Sequence, residues 1–302
     1  MKIGISLSST YLTEETREGP VQMLARTKAA ASAGLDSLFV GDHHSVPVSY
    51  YQNTPILGRL LAEWDERTAG ALFLLPLWNP VLVAEQVATL ACITKGRFIM
   101  QCGLGGGAAQ FNAMGVNIRH RPSAFEQSIE TIRALWQGET VNLDGRWHIQ
   151  QAKIAPMPPE PVDIWIGASA QVAIERAAKL GDAWLASPDL TEERAKQKMD
   201  IYLTALARHH RPVPATIAIR RDIYVAESAA EAARVKETMA SSGYRGFDPS
   251  ALVIGDPASV AARFLELGKA GYTDIIVRNL HTDPEKAVAS TRRLASVRSM
   301  IT

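Results

Sequence analysis

Between Gly34 and Gly107 the chain runs three times from an apolar stretch into a set of unusual residues. Val40-Gly41-Asp42-His43-His44 ends the first, Leu74-Leu75-Pro76-Leu77-Trp78-Asn79-Pro80 the second, and Gly103-Leu104-Gly105-Gly106-Gly107 the third. Each stretch has the length and residue content of a strand buried on both faces, with helical spacing between them. α/β barrels build active sites from the loops at the carboxyl ends of their strands. Three such loops in succession predict one shared pocket.

Outward from that core, strand and helix patterns alternate over the whole chain. Ile3 to Leu7 reads as a first strand, Val21 to Ala33 as a helix, and Ser37 to Val40 as the next strand. Val83, Val87, Leu90 and Ala91 share one helical face after Pro80. Strands at Val162 to Ile166, Ala183 to Ala186, Thr216 to Val225 and Thr273 to Arg278 alternate with further helices. Asp256-Pro257 and Asp283-Pro284 have the N-cap-then-proline form of a helix start. Eight strands in this alternation predict a single (β/α)8 TIM barrel over residues 1–302 rather than an open doubly wound sheet. Two excursions interrupt it: a hairpin near 140–154, signalled by Asp144-Gly145, and an insertion near 243–255.

Composition removes several function classes. Apolar residues make up 47% and charged residues 21% of 302, ordinary for a globular enzyme that needs no disulfide or metal to hold its core. Lys plus Arg number 32 against 31 acidic residues, so no basic surplus points to nucleic acid. Arg220-Arg221 and Arg292-Arg293 read as solvated element ends. No apolar run approaches the roughly 20 residues that span a bilayer, and no secretory signal precedes the first strand. Cys92 and Cys102, both in apolar surroundings, read as small buried hydrophobes, which fits a reducing cytoplasm.

The candidate chemistry sits in the loops. His43 and His44 are adjacent, so in extended backbone only one faces the barrel axis, which argues against a shared metal. A pocket-facing imidazole is a natural general base or hydrogen-bond donor; a packed, fully bonded histidine is the bland alternative. The glycines between Gly103 and Gly107 allow backbone to approach a flat ring more closely than a Cβ permits; a glycine turn that merely closes a strand is the bland alternative. The run Gly103 to Ala108 also matches a dinucleotide-binding fingerprint formally, but no strand with a terminal acid follows at the required distance. Gly167-Ala168-Ser169 lies between a strand and a helix start, where free amides suit a phosphate; an ordinary small-residue turn fits as well. Arg278-Asn279, closing the last strand, is a weaker candidate.

Taken together, the order of these motifs resembles the luciferase-like flavin-dependent oxidoreductases, which include bacterial luciferase and relatives using the deazaflavin F420. The resemblance rests on Ala33-Gly34-Leu35-Asp36-Ser37 leading to Asp42-His43-His44, then Leu75 to Pro80, Ala84-Glu85-Gln86 and Gly96-Arg97-Phe98. Phe111, Met114-Gly115, Trp165-Ile166-Gly167 and Ala177 to Trp184 continue it; it is strong to about Trp184 and loose beyond.

What the resemblance implies is a barrel binding FMN or F420 at its carboxyl face, a small organic substrate, and a homodimer. His43 takes the place of the active-site histidine, with His44 behind it or facing substrate. A non-prolyl cis peptide is expected within Phe73 to Leu75, with the Leu75 amide against the ring. Gly103, Gly105 and Gly106 flank the ring or its chain, and Gly167, Ala168 and Ser169 hold the phosphate. The chain departs from the family at Leu104, where luciferase has a phosphate-binding arginine, and at Ala108, where some F420 enzymes have a carboxylate. The leading expectation is a monooxygenase using reduced FMN from a separate flavin reductase, with Phe39, Phe73 and Trp78 as apolar walls that exclude water. Hydride transfer with F420 is the alternative, and a non-catalytic flavin-binding accessory protein a third reading.

Overall fold

The computed structural model describes residues 1–12 and 15–301. In chain order the strands are β1 (Lys2–Leu7), β2 (Ser37–Val40), β3 (Thr68–Leu74), β4 (Phe98–Gly103), β5 (Val141–Leu143) and β6 (Ile149–Ala152). They continue with β7 (Asp163–Ala168), β8 (Ala183–Ala186), β9 (Ala218–Val225), β10 (Val253–Gly255) and β11 (Asp274–Asn279). The helices are α1 (Glu18–Ser32), α2 (Asn53–Leu60), α3 (Pro80–Ile93), α4 (Ala108–Ala113) and α5 (Arg121–Trp136). After them come α6 (Gln171–Leu180), α7 (Glu192–Arg208), α8 (Ala229–Ser242), α9 (Pro257–Lys269) and α10 (Pro284–Ile301).

Eight strands close into a parallel barrel in the order β9-β11-β1-β2-β3-β4-β7-β8, with β8 pairing back onto β9. The closing register is short: Leu185 opposes Ala218 and Ala186 opposes Ile219. The expected (β/α)8 architecture is therefore present, and α3 shows how the sequence imposes it. Asn79 caps that helix by accepting from the Val81 amide at 2.9 Å, and Pro80 supplies its first turn. Val83, Val87, Leu90 and Ala91 are all buried. Asp256 caps α9 in the same way, accepting from the Ser259 amide. No helix among the described residues is long and apolar enough to cross a membrane.

Both excursions differ in detail from their sequence signals. The hairpin of β5 and β6 is joined by residues 144–148 rather than a two-residue turn. Gly145 takes the left-handed conformation at φ 102°, but the longer loop carries Arg146 and Trp147 to a cleft they share with Trp78 and His120. The 243–255 insertion is not only loop. It holds two 3-10 turns and β10, whose Val253 to Gly255 run parallel to Ile223 to Val225 of β9 outside the barrel.

Inside the barrel, the middle layer is filled by Phe39, Ile99, Trp165, Ala183, Leu185, Ala218 and Ile276. The Phe39 and Trp165 rings meet at 5.6 Å and occupy the axis. Gly70 makes room for them: a Cβ there would lie 2.2 Å from the Ile99 carbonyl oxygen and 2.8 Å from the Phe39 ring. Since the nearest clash is with backbone, Gly70→Ala is expected to lower unfolding stability in urea by about 1–3 kcal/mol. An unchanged transition midpoint would show that the layer has slack.

The amino-terminal end of the barrel is polar, with Lys2, Thr68, Asp163 and Asp274 around a cavity of about 520 Å³. Burial raises the Asp274 pKa, opposed by the Thr273 hydroxyl that donates to its carboxylate at 2.7 Å. A native pKa above the unfolded value means that the ionised carboxylate subtracts stability at neutral pH, a penalty that fades as pH falls through the raised native value. Asp274→Asn is therefore expected to raise the melting temperature at pH 8, with the gain shrinking as pH approaches 4. A variant less stable at every pH would contradict this.

Candidate active site

The three loops singled out in the sequence are tied together by one buried carboxylate. Asp42 lies two residues beyond β2 and is 5% exposed. Its Oδ2 accepts from the Leu74 amide at 2.7 Å and from Trp78 Nε1 at 2.8 Å. Its Oδ1 lies 3.0 Å from His44 Nε2, without the alignment of a hydrogen bond. The His44 amide donates to Gln110 Oε1 at 2.8 Å, and Gln110 Nε2 donates to the Gly106 carbonyl at 3.1 Å. Asp42 thus holds the Leu74–Trp78 turn directly and the glycine loop through His44 and Gln110.

His43 and His44 face opposite ways, as extended backbone requires. His44 lies behind the cavity, its ring edge-on to Trp78 at 5.2 Å. His43 lines a mouth of about 380 Å³ at the carboxyl ends of the strands, together with Ser6, Asp42, Tyr50, Leu72 and Gln101. Its carbonyl accepts from Gln52 Nε2 at 3.1 Å, and its ring lies 5.8 Å from that of Tyr50. Burial pushes the Tyr50 hydroxyl up to about 12, so it is a neutral donor at any ordinary pH. Gln101, 4% exposed, keeps a buried Nε2 without a hydrogen-bond partner.

Three arginines complete the mouth: Arg220 on β9, Arg278 on β11 and Arg245 from the insertion. Sequence reading placed Arg220-Arg221 on a solvated end; both instead lie within β9, Arg221 at 1% exposure on the outer face. Three successive charges in an apolar strand, Arg220-Arg221-Asp222, were the available signal, because a charge inside a strand is kept only with partners. The expected apolar walls are also corrected. Phe39 is packed in the middle layer and Phe73 points outward into the helix-side core, so neither lines the mouth.

The remaining candidates lie at the ends of neighbouring strands. Gly103 ends β4, and a Cβ there would meet only Leu74 Cδ2, at 3.8 Å. Gly105 has φ 67° and its carbonyl accepts from Arg121 Nη1 at 3.3 Å, which brings a cation to the loop where Leu104 offered none. Gly106 is exposed and uncrowded. Gly167, on the adjacent β7, would place a Cβ 3.5 Å from the Cys102 carbonyl. The Ala168 carbonyl accepts from Trp184 Nε1 at 2.9 Å, and Ser169 is exposed just before α6, which starts without a side-chain cap.

Leu75 is fully buried at the start of a 3-10 turn spanning Leu75–Leu77. The expected cis peptide is absent from this segment; the cis bond among the described residues is Ala155–Pro156. A non-prolyl cis bond costs about 2.5–4 kcal/mol, and Leu74 at φ −83°, ψ 75° turns the chain without one. Cys102 is buried as expected, whereas Cys92 is exposed on the outer side of α3.

Replacing Asp42 tests the hub. Asp42→Ala leaves the Leu74 amide and the Trp78 indole without their acceptor, at about 1–3 kcal/mol each. Asp42→Asn, which keeps one oxygen, is expected to lose less. Equal stability of the two variants in denaturant would remove the hub role.

A family model described as luciferase-like monooxygenase matches residues 1–250. An F420-dependent glucose-6-phosphate dehydrogenase of Beutenbergia cavernae is 31% identical over 190 residues, 58% of this chain and 55% of that protein. The chain thus aligns with little more than half of that relative's length. Among solved structures, the monooxygenase RslO1 from Streptomyces bottropensis superposes with a TM-score of 0.82 at 20% identity, covering 98% of each chain. An F420-dependent secondary alcohol dehydrogenase with a bound F420–acetone adduct superposes with a TM-score of 0.81 at 17% identity, over 100% of this chain and 99% of that one. The fold is common to both, and on the family match the chain belongs to the luciferase-like monooxygenase family of oxidoreductases.

Proposed function

We propose that this chain is a redox enzyme that seats F420 across its carboxyl-end loops and works on a small organic substrate in the mouth by hydride transfer. The observation that carries the choice is the charge in that mouth: His43, Tyr50, Asp42 and three arginines line it beside Leu7, Val46, Val48 and Leu72, in place of the aromatic walls expected. Such a lining suits a polar substrate and gives little protection to an oxygen-derived species that water destroys. The F420-dependent relative in Beutenbergia supports the same choice.

The residues present fit a flat heteroaromatic ring. Gln101 offers a buried donor that lacks an acceptor, and Gly103 offers bare backbone at the end of β4. Gln101, Gly103 and Gly105 would hold the ring, and the Gly167–Ser169 turn its phosphate-bearing chain. When bound, F420 supplies a site that takes up or releases hydride. The chain's own work is then on the substrate. His43 takes or returns the proton of the substrate hydroxyl, and Tyr50, kept neutral, donates to the same oxygen. Asp42 and His44 keep the loop bearing His43 in register.

A second reading, FMN with oxygen and a separate flavin reductase, draws on the family description as monooxygenase. Titrating the purified protein with F420 and with FMN, followed by absorbance, separates the two. F420 is expected to bind at least tenfold more tightly. Tight FMN binding without F420 affinity would give the monooxygenase reading, and binding of neither would end both. In the active system, His43→Ala is expected to lower kcat by about 10²–10⁴-fold with cofactor affinity nearly unchanged.

A further inference from the structure

The geometry points to an anion subsite in the mouth, formed by Arg220, Arg245 and Arg278, for a carboxylate, phosphate or sulfonate group on the substrate. This deepens the reading above by naming the substrate class: a small organic anion whose charged end lies on the β9–β11 side, away from the Gly167–Ser169 turn.

The argument is one of charge and position. Asp222 is fully buried behind the arginines, and its Oδ2 accepts from Arg245 Nη1 at 2.7 Å, Tyr244 OH at 3.0 Å and Arg278 Nη2 at 3.1 Å. Arg220 Nε stands 4.0 Å from Asp222 Oδ1, too far for a hydrogen bond, and is buried without a partner. One carboxylate therefore faces three guanidinium groups. Among the described residues lining the mouth, Asp42 is the other carboxylate, and it is committed to Leu74, Trp78 and His44. With Asp42 counted as well, one positive charge is left over inside a concave site, where it acts in a lower dielectric than at an open surface. Burial, then the neighbouring Arg278, push the Arg220 pKa down to about 10, the mark of crowded cations that remain protonated at neutral pH.

A purely structural cluster would need only one arginine for Asp222. Moreover, the chain spends backbone strain to add another. Arg245 has φ 52° between Gly243 and Gly246, both also at positive φ, and its guanidinium lies over Phe247 at 4.6 Å. That conformation carries the side chain back to the mouth instead of into solvent. Asp222 pre-orients the forks, and a bidentate anion is the partner that such forks match.

The test is calorimetric titration with inorganic phosphate at constant ionic strength. It uses the wild-type chain, Arg278→Gln, Arg278→Lys and the half-exposed Arg245→Gln, whose fold is less at risk. Single-site binding is expected, weakened about tenfold or more in either Gln variant and partly restored in Arg278→Lys. Repeating it with F420 or FMN at saturation tells a substrate site from a cofactor-phosphate site: binding persists if the subsite belongs to substrate. Loss of phosphate binding on cofactor loading, absence of binding to wild type, or equal affinity in both Gln variants and wild type would each overturn the proposal. Phosphate binding in a chain that takes neither cofactor would remove the redox reading and leave the anion subsite standing.

Discussion

A single buried carboxylate sets the geometry of the carboxyl face. Asp42 is buried, and a buried charge persists only when its oxygens are filled. Its Oδ2 accepts from an amide and an indole and its Oδ1 lies 3.0 Å from an imidazole, groups from two different loops that have little freedom to choose another arrangement. His43 acquires its position at the mouth because its neighbours on both sides, Asp42 and His44, are anchored beneath it. The position of the mouth-facing imidazole is thus a consequence of the one behind it.

Charge is distributed along the barrel axis in three tiers. A polar ring of Lys2, Thr68, Asp163 and Asp274 surrounds the amino-terminal end, a dry layer built on Phe39 and Trp165 fills the middle, and the arginine-rich mouth lies above. The aromatic layer keeps the two polar ends from sharing solvent. Each end consequently solves its own electrostatics, the lower with mixed charges and the upper with a surplus of cations around Asp222.

The architecture was readable because alternation and capping are local. Ser37 to Val40, Ala183 to Ala186 and the Asn79-Pro80 helix start are written in consecutive residues. The three loops were readable for the same reason, since histidines, a Pro-bounded turn and a glycine cluster interrupt apolar runs. What escaped was set by partners far along the chain. Arg220 is held in the mouth because residues at 245 and 278 crowd round Asp222 with it, and the charge run in β9 calls for partners without naming them. Phe39 and Phe73 are both apolar and both near the mouth in sequence, yet strand parity sends one to the axis and the other to the helices. Cys92 is exposed because α3 is apolar on more of its circumference than the core covers. The Gln110 bridge to His44, separated by 66 positions, has no sequence signature at all.

The ring of strands is not uniformly strong. Six register pairs join β3 to β4 and six join β9 to β11, whereas two join β8 to β9. Above those two, β9 would present a bare edge, and Val253 to Gly255 pair along it. The segment that bears Arg245 therefore belongs to the same excursion that shields the thinnest joint of the hoop. A side chain that reaches the mouth and a strand that covers the joint are thus carried by one stretch of chain.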